Sequence, residues 1–564
     1  MPEFMTPALV YVVAALTLPL VPHGRWRQIL IILTPFAGVA VFWGLPHGTY
    51  GNINLMGMHI GLMRVDALSY LFGLGFSLAV LVVAVYAWHV RDTIQQVAML
   101  LYAGSALGAV FAADLVTLFI FWEGTAIASV FLIWARRTEG AYAAGMRYLI
   151  VQIGSGVILL AGIILFYRET GTVAFRAMEL QSAATWAILL AFGIKCAFPL
   201  LHNWLHDAYP AATVTGTVIL SAFTTKLAIY ALARGFPGTE ILIYIGIAMV
   251  LFPIAYALVE NELRRVLTYA LNSQLGFMVV GIGIGTPLAL NGAIAHALSS
   301  IFYQALLFMS IGAVLFRTGT SKASDLGGLA RQMPWTALFC IVGGLSIAAL
   351  PATTGFVSKS LVLSAAGYGG LYLVWLVLIA ANAAAVLHTS IRVPLSVFFG
   401  PDRGVRAKEA PSHMLVAMTL AAAVTIGIGI YPDPLYALLP NDVTYEPYTL
   451  SHLITQLQLV LFAALAFALL ARAGFWSTPR HAILLDTDWL YRHLLSAGLG
   501  RLSAFVTALW RWTSLLIQRR LNVFLSGIYR THGPQGVLAR TWPTGSMVLW
   551  IAILLGTTLV LTYV

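Results

Sequence analysis

Charge is what this sequence has least of. Only 9% of its 564 residues are charged, while 60% are hydrophobic. A soluble domain carries about a quarter of its residues as charges, so a soluble globular fold is excluded. Cysteine is scarcer still. Cys196 and Cys340 stand far apart in apolar segments and suggest neither a disulfide framework nor a metal site. There is no CxxC cluster, haem-ligand pair or nucleotide-binding fingerprint. A redox enzyme acting alone is therefore disfavoured, and no cofactor or metal is expected. The net charge of +11 would suit nucleic acid, but the basic residues are scattered through short loops. That is the pattern of topology signals, and no nucleic-acid partner is expected. The first apolar stretch, Thr6 to Val21, has no basic region before it and no small-residue cleavage site after it. It reads as a membrane span and not as a removable leader.

What the chain has in abundance is long apolar runs. Runs of about 17–25 residues mark spanning helices, and about sixteen are expected here. They fall near 8–22, 28–45, 66–90, 97–113, 115–134, 144–167, 184–202, 211–234, 239–259, 266–285, 288–316, 334–364, 371–398, 414–431, 453–474 and 547–563. The expected fold is an all-α polytopic membrane protein. Basic residues alternate between loops. Arg25 and Arg27, Arg91, Arg136 and Arg137, Arg264 and Arg265, Lys322 and Arg331, then Arg403, Arg406 and Lys408 follow odd-numbered spans. Positive loops stay in the cytoplasm. This predicts a multi-pass protein of the bacterial cytoplasmic (inner) membrane with both termini periplasmic.

Two spans look broken. Pro199 interrupts the seventh shortly after Lys195, and Pro351 interrupts the twelfth shortly before Lys359. Interrupted helices in corresponding positions mark repeated units, and an odd number of spans per unit makes them inverted. The expected organisation is N-terminal helices over 1–96, a first five-helix repeat over 97–238, an inverted second over 239–398, and peripheral helices over 399–474. A cytoplasmic-side region over 475–546 precedes a final span over 547–564. From Arg492 to Arg540 there are seven Arg and no acidic residue, interleaved with Phe505, Trp510 and Trp512. That composition suits a lateral amphipathic helix, with 492–529 as its extent, lying along a membrane surface or neighbouring helices.

The remaining charges sit in costly places. Glu123, Lys195 and Lys226 lie near the middle of apolar segments, where an ionised group costs at least about 2.5–3.5 kcal/mol. The predicted arrangement is a Glu123–Lys195 ion pair within direct or one-water reach. Lys226, His296, Lys359 and His388 then serve as successive proton acceptors in the bundle interior. Lysine changes its protonation readily when buried, and histidine titrates near neutrality. Arg392 stands near a span end, where Arg is commonly an anchor. Asp114 stands where it would cap a helix, and the pair Arg264 and Arg265 reads most simply as a topology signal.

The segments LFIFWEGTAIASVFLIW, GIKCAFPLLHNWLHDAYPAA, ILSAFTTKLAIYALAR, NELRRVLTYALNSQLGF and TTGFVSKSLVL resemble the antiporter-like, proton-translocating subunits. These are shared by respiratory NADH dehydrogenase (complex I), membrane-bound hydrogenases and Mrp-type cation/proton antiporters. The resemblance runs over about 60–400 of the chain, a length that spans the ten-helix repeat pair it implies. It implies that Glu123 is the family's fifth-helix glutamate and Lys195 its seventh-helix lysine. Lys226 matches the eighth-helix lysine of the D-type Mrp and middle-antiporter subunits, His296 an eleventh-helix histidine, and Lys359 the twelfth-helix lysine. The C-terminal plan resembles the distal subunit. One segment departs. Where the family reads like HxxxHAFFKALLF, this chain reads HALSSIFYQALLF, with Ser300 and Gln304 at the second histidine and lysine positions. Neither titrates near neutral pH, so a water-lined gap is expected between His296 and Lys359.

The function expected is proton translocation within a larger complex of membrane subunits, as Mrp-like antiport with Na+ as candidate counter-ion and lipid around it. One alternative is a proton channel driven by a redox or inorganic-carbon uptake complex. A second is a scaffold whose relay has partly decayed at Ser300 and Gln304.

Overall fold

The computed structural model describes residues 5–55, 57–474, 489, 496–537, 539–540 and 543–563. They fall into two compact units, Met1–Leu484 and Leu485–Val564. In the first, helices α1 (Pro7–Thr17) and α2 (Arg25–Phe42) lead to a hairpin of β1 (Gly48–Leu55) and β2 (Met58–Val65). Then come α3 (Ala67–Tyr86), α4 (Thr93–Phe111), α5 (Leu115–Trp134), α6 (Glu139–Thr170), α7 (Ala183–Lys195), α8 (Asn203–Ala211), α9 (Val214–Ala222) and α10 (Thr224–Gly235). The second half holds α11 (Ile241–Val259), α12 (Leu263–Ile284), α13 (Pro287–Thr318), α14 (Pro334–Ile347), α15 (Thr354–Tyr368) and α16 (Tyr372–Ala385). The last of these runs on through π-helical turns to Phe399. Two peripheral helices follow, α17 (Ser412–Ile430) and α18 (Leu450–Arg472).

Among the described residues, thirteen helices are long and apolar enough to cross a membrane, fewer than the sixteen apolar runs. Three shorter apolar helices, Pro7–Leu20, Ala183–Lys195 and Pro334–Ile347, fall on the remaining expected spans. Two of the three are short because they are first halves of interrupted helices. The hairpin is a departure from an all-helical reading. Its Gly61 N–H donates to Asp114, whose carboxylate also accepts from Val116 and Thr117 N–H. Asp114 thus caps α5, as its position suggested.

The interruptions at Pro199 and Pro351 share one backbone path. Ala197 and Leu200 flank the first proline with φ of 61° and 70°, and Ala349 and Ala352 flank the second with 56° and 68°. In each, the residue before proline closes on a carbonyl five positions back, Phe198 N on Gly193 O and Leu350 N on Leu345 O, both at 3.0 Å. Left-handed backbone costs a residue with a side chain about 1–2 kcal/mol, so the match of four such positions argues for two related units. Registered on the prolines, Lys195 falls at the position of Ile347, and Lys359 at that of Asp207. The two breaks therefore have their lysines on opposite sides.

A third interruption carries no sequence signal. Phe223 separates α9 from α10 within the eighth expected span, ILSAFTTKLAIY, which contains neither proline nor glycine at that point. It releases one backbone donor and one acceptor. Thr224 N–H donates to the Tyr102 hydroxyl at 2.9 Å, and Ser221 C=O accepts from Lys226 at 2.9 Å.

Arg264 is more than a topology signal. It is buried, and its guanidinium donates to the carbonyls of Tyr209, Ala212 and Thr213 at 3.2, 3.0 and 3.2 Å. These carbonyls lie between the end of α8 and the start of α9; those of Tyr209 and Thr213 also accept from Thr217, so Ala212 C=O depends most on the guanidinium. Arg392 does the same for α11, donating to Ala257 and Glu260 carbonyls at 2.6 and 2.8 Å. A basic residue beside a helix end can thus be an internal cap.

The second unit contains α19 (Ser496–His532) and α20 (Thr544–Tyr563). The 37 residues of α19 measure about 56 Å along the axis. Arg492 and the rest of 492–495 lie outside the described residues, as does most of 475–495.

Arg264→Met should lower the thermal unfolding midpoint of the purified protein, because leaving the Ala212 carbonyl unpaired costs about 1–3 kcal/mol. Arg265→Met should change it less, since Arg265 is 41% exposed in a 3.5 Å pair with Glu260, and such pairs contribute about 0–1 kcal/mol. Equal midpoints for the two variants would contradict the capping role.

Candidate functional site

The expected row of buried groups exists, but its partners differ from those expected. Lys195, Lys226 and His296 are fully buried and Lys359 nearly so, at 1% exposed. Each ammonium is held by neutral oxygens.

Lys195 is the last residue of α7, where the negative end of the helix dipole favours a cation. Its Nζ donates to Trp122 C=O at 2.6 Å and to Thr125 Oγ1 at 2.7 Å, and lies 4.3 Å from the Trp122 ring centroid. Glu123 is not its direct partner, and no ion pair joins them. The half-buried carboxylate turns instead toward α6, where Oε1 is buried without a hydrogen bond. It occupies the space that a side chain at Gly156 would need, because a Cβ there would stand 1.4 Å from Oε1. Next to Gly156, Ser155 ties the helices together, accepting from Trp122 Nε1 at 3.1 Å and donating to Ala191 C=O at 2.8 Å. The direct pair fails because the neighbouring carbonyl and hydroxyl satisfy the ammonium first.

Lys226 donates to Ser221 C=O, freed by the Phe223 interruption, and to Gln304 Oε1 at 2.8 Å. This corrects the expected place of the gap. Gln304 sits on the Lys226 side of His296, as a direct partner. The Ser300 hydroxyl donates to Ala297 C=O in its own helix at 2.7 Å.

His296 stands between α12 and α15. Its Nδ1 lies 3.0 Å from Ser358 Oγ, and its Nε2 lies 3.2 Å from Gln274 Oε1 and 3.4 Å from the Tyr303 hydroxyl. Ser358 also donates to Thr354 C=O at 2.8 Å. Lys359, the next residue, donates to Ile347 C=O at 2.6 Å and Asn382 Oδ1 at 2.9 Å. Ile347 is the last residue of α14, so the second break supplies this acceptor. Asn382 Nδ2 caps Ala348 C=O at 3.2 Å. Phe277 is a shared neighbour, 4.8 Å from Lys359 Nζ and 6.1 Å from the His296 ring by centroid.

His388 acts on Lys359 electrostatically and not through a hydrogen bond. It is buried in the π-helical turn after α16 and bonds its neighbour Thr389 at 2.6 Å. Sequence reasoning missed Gln274, Ser358 and Asn382, because a neutral side chain in an apolar run carries no cost to flag it. It also passed over α8, where His206 bonds Thr268 at 2.9 Å and stacks on Tyr269 at 3.9 Å, and Asp207 pairs with Arg147 at 3.0 Å. The i, i+4 spacing of His202 and His206 was the available signal. Among the described residues no group of three or more His, Cys, Asp or Glu could hold a metal. What the arrangement can do chemically is hold protons at several interior sites and exchange them through hydroxyls, amides and water.

Two substitutions test these partners by the ion transport that such a row supports. Gly156→Ala should displace the Glu123 carboxylate and reproduce the transport loss of Glu123→Gln. Wild-type transport in Gly156→Ala beside a defective Glu123→Gln would show that the cradle is irrelevant. Gln304→Lys should slow transport, because it replaces the oxygen that accepts from Lys226 with a second ammonium, and like charges in contact disfavour one another. Faster transport would show that Gln304 is a weakened family position and not a retuned one.

Residues 112–384 match the family model described as NADH:quinone oxidoreductase/Mrp antiporter, TM. The chain is 28% identical over 430 residues to Hydrogenase-4 component B of Escherichia coli, covering 65% of this chain and 62% of that one. It is 29% identical over 364 residues to a Na(+)/H(+) antiporter subunit of Alkalihalophilus pseudofirmus, covering 60% of this chain and 73% of the relative. Its fold is similar to a chain of the membrane-bound sulfane sulfur reductase, an archaeal respiratory membrane complex. That likeness has a TM-score of 0.69 at 22% identity and covers 81% of this chain and 98% of the other. Buried lysines at helix breaks, the family match and the shared fold agree, and the chain is similar to the antiporter-like membrane subunits, with residues 112–384 as the region of likeness.

Proposed function

We propose that this chain is the proton-translocating subunit of a multisubunit complex in a bacterial inner membrane, exchanging protons for a cation, with Na+ the first candidate. The observation that carries this reading is the set of three buried lysines, each held by neutral oxygens and not by a carboxylate. A buried ammonium locked in an ion pair is costly to discharge. One held by carbonyl, hydroxyl and amide dipoles can give up its proton and leave no unpaired anion behind. Glu123, Lys195, Lys226, His296 and Lys359 are the proposed relay. The likeness to an antiporter subunit supports cation exchange, and the likeness to a hydrogenase component supports the second reading, a proton channel driven by redox partners. The bond from Lys226 to Gln304 gives Gln304 a place in the row and weighs against the scaffold reading. Periplasmic termini follow from the basic loops. The helix α19, with Arg501, Arg511, Arg519, Arg520 and Arg530 beside exposed Phe505, Trp510 and Trp512, suits a surface of lipid or of neighbouring subunits.

The test is the complete complex, purified and reconstituted in vesicles, with internal pH and Na+ followed after a gradient is imposed. Lys226→Ala and Lys195→Ala should each reduce proton movement by at least about a hundredfold, the scale on which a positioned proton carrier acts, with assembly intact. Wild-type rates in both assembled variants would contradict the relay. Sodium movement that follows proton movement in the wild-type complex supports antiport, and proton movement that needs an electron donor supports the redox-driven reading.

A further inference from the structure

Resting on that reading, we propose that a buried hydroxyl cluster, Tyr102, Tyr148 and Tyr209 around Thr224, is the proton bridge from Lys195 to Lys226. The two lysines have no common partner, so something must join them. Their surroundings point to one route. Tyr102 (α4), Tyr148 (α6), Tyr209 (α8) and Thr224 (α10) are all fully buried. Tyr102 and Thr224 share a hydrogen bond of 2.5 Å. The Tyr148 and Tyr209 hydroxyls also face Thr224, and that of Tyr209 makes no hydrogen bond. Four polar side chains from four helices converging in an otherwise apolar interior exceed what packing alone requires, because burying an unpaired hydroxyl costs free energy.

The cluster reaches toward Lys195 through α5. Ser129 and Tyr148 are hydrogen-bonded at 2.7 Å, and Trp122 and Ser155 at 3.1 Å. This antiparallel register sets Gln152 of α6 opposite Thr125, the hydroxyl that accepts from Lys195. Gln152 is fully buried, and neither of its amide atoms has a partner. A water there, with Gln152, Thr125 and Ser129 around it, meets the two to four polar partners that a buried water takes. At the other end Thr224 starts α10 after the interruption at Phe223, which frees the Ser221 carbonyl that holds Lys226, and the fully buried Thr225 hydroxyl is also unpartnered. A second water fits there.

The transfer conserves every atom. The N–H bond at Lys195 breaks, each hydroxyl or water accepts one proton and passes on its own, and a new N–H bond forms on the neutral amine of Lys226. No tyrosinate forms and no other reactant is needed. Hydroxyl rotation afterwards restores the original polarity of the chain.

The test uses the reconstituted complex and measures proton flux. Thr224→Val keeps the shape and removes the hydroxyl, whereas Thr224→Ser keeps the hydroxyl. Tyr148→Phe removes a second hydroxyl without touching the backbone. Thr224→Val and Tyr148→Phe should each lower flux by at least about tenfold, a modest share of what a placed proton donor supplies, and Thr224→Ser should restore it. A merely structural Thr224 would not separate Ser from Val in flux while both assemble equally. Wild-type flux in assembled Thr224→Val, or in Tyr148→Phe should the first variant not assemble, overturns the bridge and leaves the relay standing. A wild-type complex that moves no protons overturns the transport reading itself, and this proposal with it.

Discussion

An ammonium inside a membrane must have hydrogen-bond acceptors, and in an unbroken helix each carbonyl already spends one of its lone pairs on the backbone ladder. Interrupted helices solve this. The Phe223 interruption frees Ser221 C=O for Lys226, and the Pro351 break frees Ile347 C=O for Lys359. At the Pro199 break the freed Ile194 carbonyl goes to Trp204 Nε1 at 2.9 Å, and Lys195 reaches across to α5 instead. Broken backbone at membrane depth is tolerated only where such partners exist. Lys226 and Lys359 therefore depend on the interruptions beside them, whereas Lys195 is satisfied by a carbonyl and a hydroxyl of the unbroken α5.

The choice of neutral acceptors decides the chemistry. An ion pair between Glu123 and Lys195 would fix a proton. The observed arrangement separates the roles, with the carboxylate resting against Gly156 and the ammonium among dipoles. The two charges still act on one another electrostatically. A change at Glu123 can therefore bias Lys195 without a bond being made or broken. Gln304 and Asn382 play the same part for Lys226 and Lys359. An amide oxygen accepts from a charged lysine, and losing that proton leaves only a neutral hydrogen bond to be rearranged.

Charged residues in apolar runs were legible because their cost is large, and all four members of the row, Lys195, Lys226, His296 and Lys359, are buried together with Glu123 half-buried beside them. Pro199 and Pro351 were legible as breaks because proline removes a donor. The Phe223 interruption was not, since nothing local in FTTK signals it and tertiary packing imposes it. The partners Thr125, Gln304, Ser358 and Asn382 were not legible either, because neutral polar residues are cheap in a helix and their value appears only when an ammonium faces them. Arg264 and Arg392 were discounted for the same reason in reverse: loop arginines usually report topology, and only the packed structure shows which carbonyls they cap.

The central claim is that this interior is a continuous polar path joining sites that can each hold a proton. A high-resolution map of the assembled complex, with ordered water resolved, tests it most directly. Water should be hydrogen-bonded to the buried, unpartnered atoms Gln152 Oε1 and Nε2, Thr225 Oγ1, Gln274 Nε2 and Gln304 Nε2, linking the lysine row. A dry interior, with apolar side chains closed over those atoms between each pair of lysines, would contradict the account.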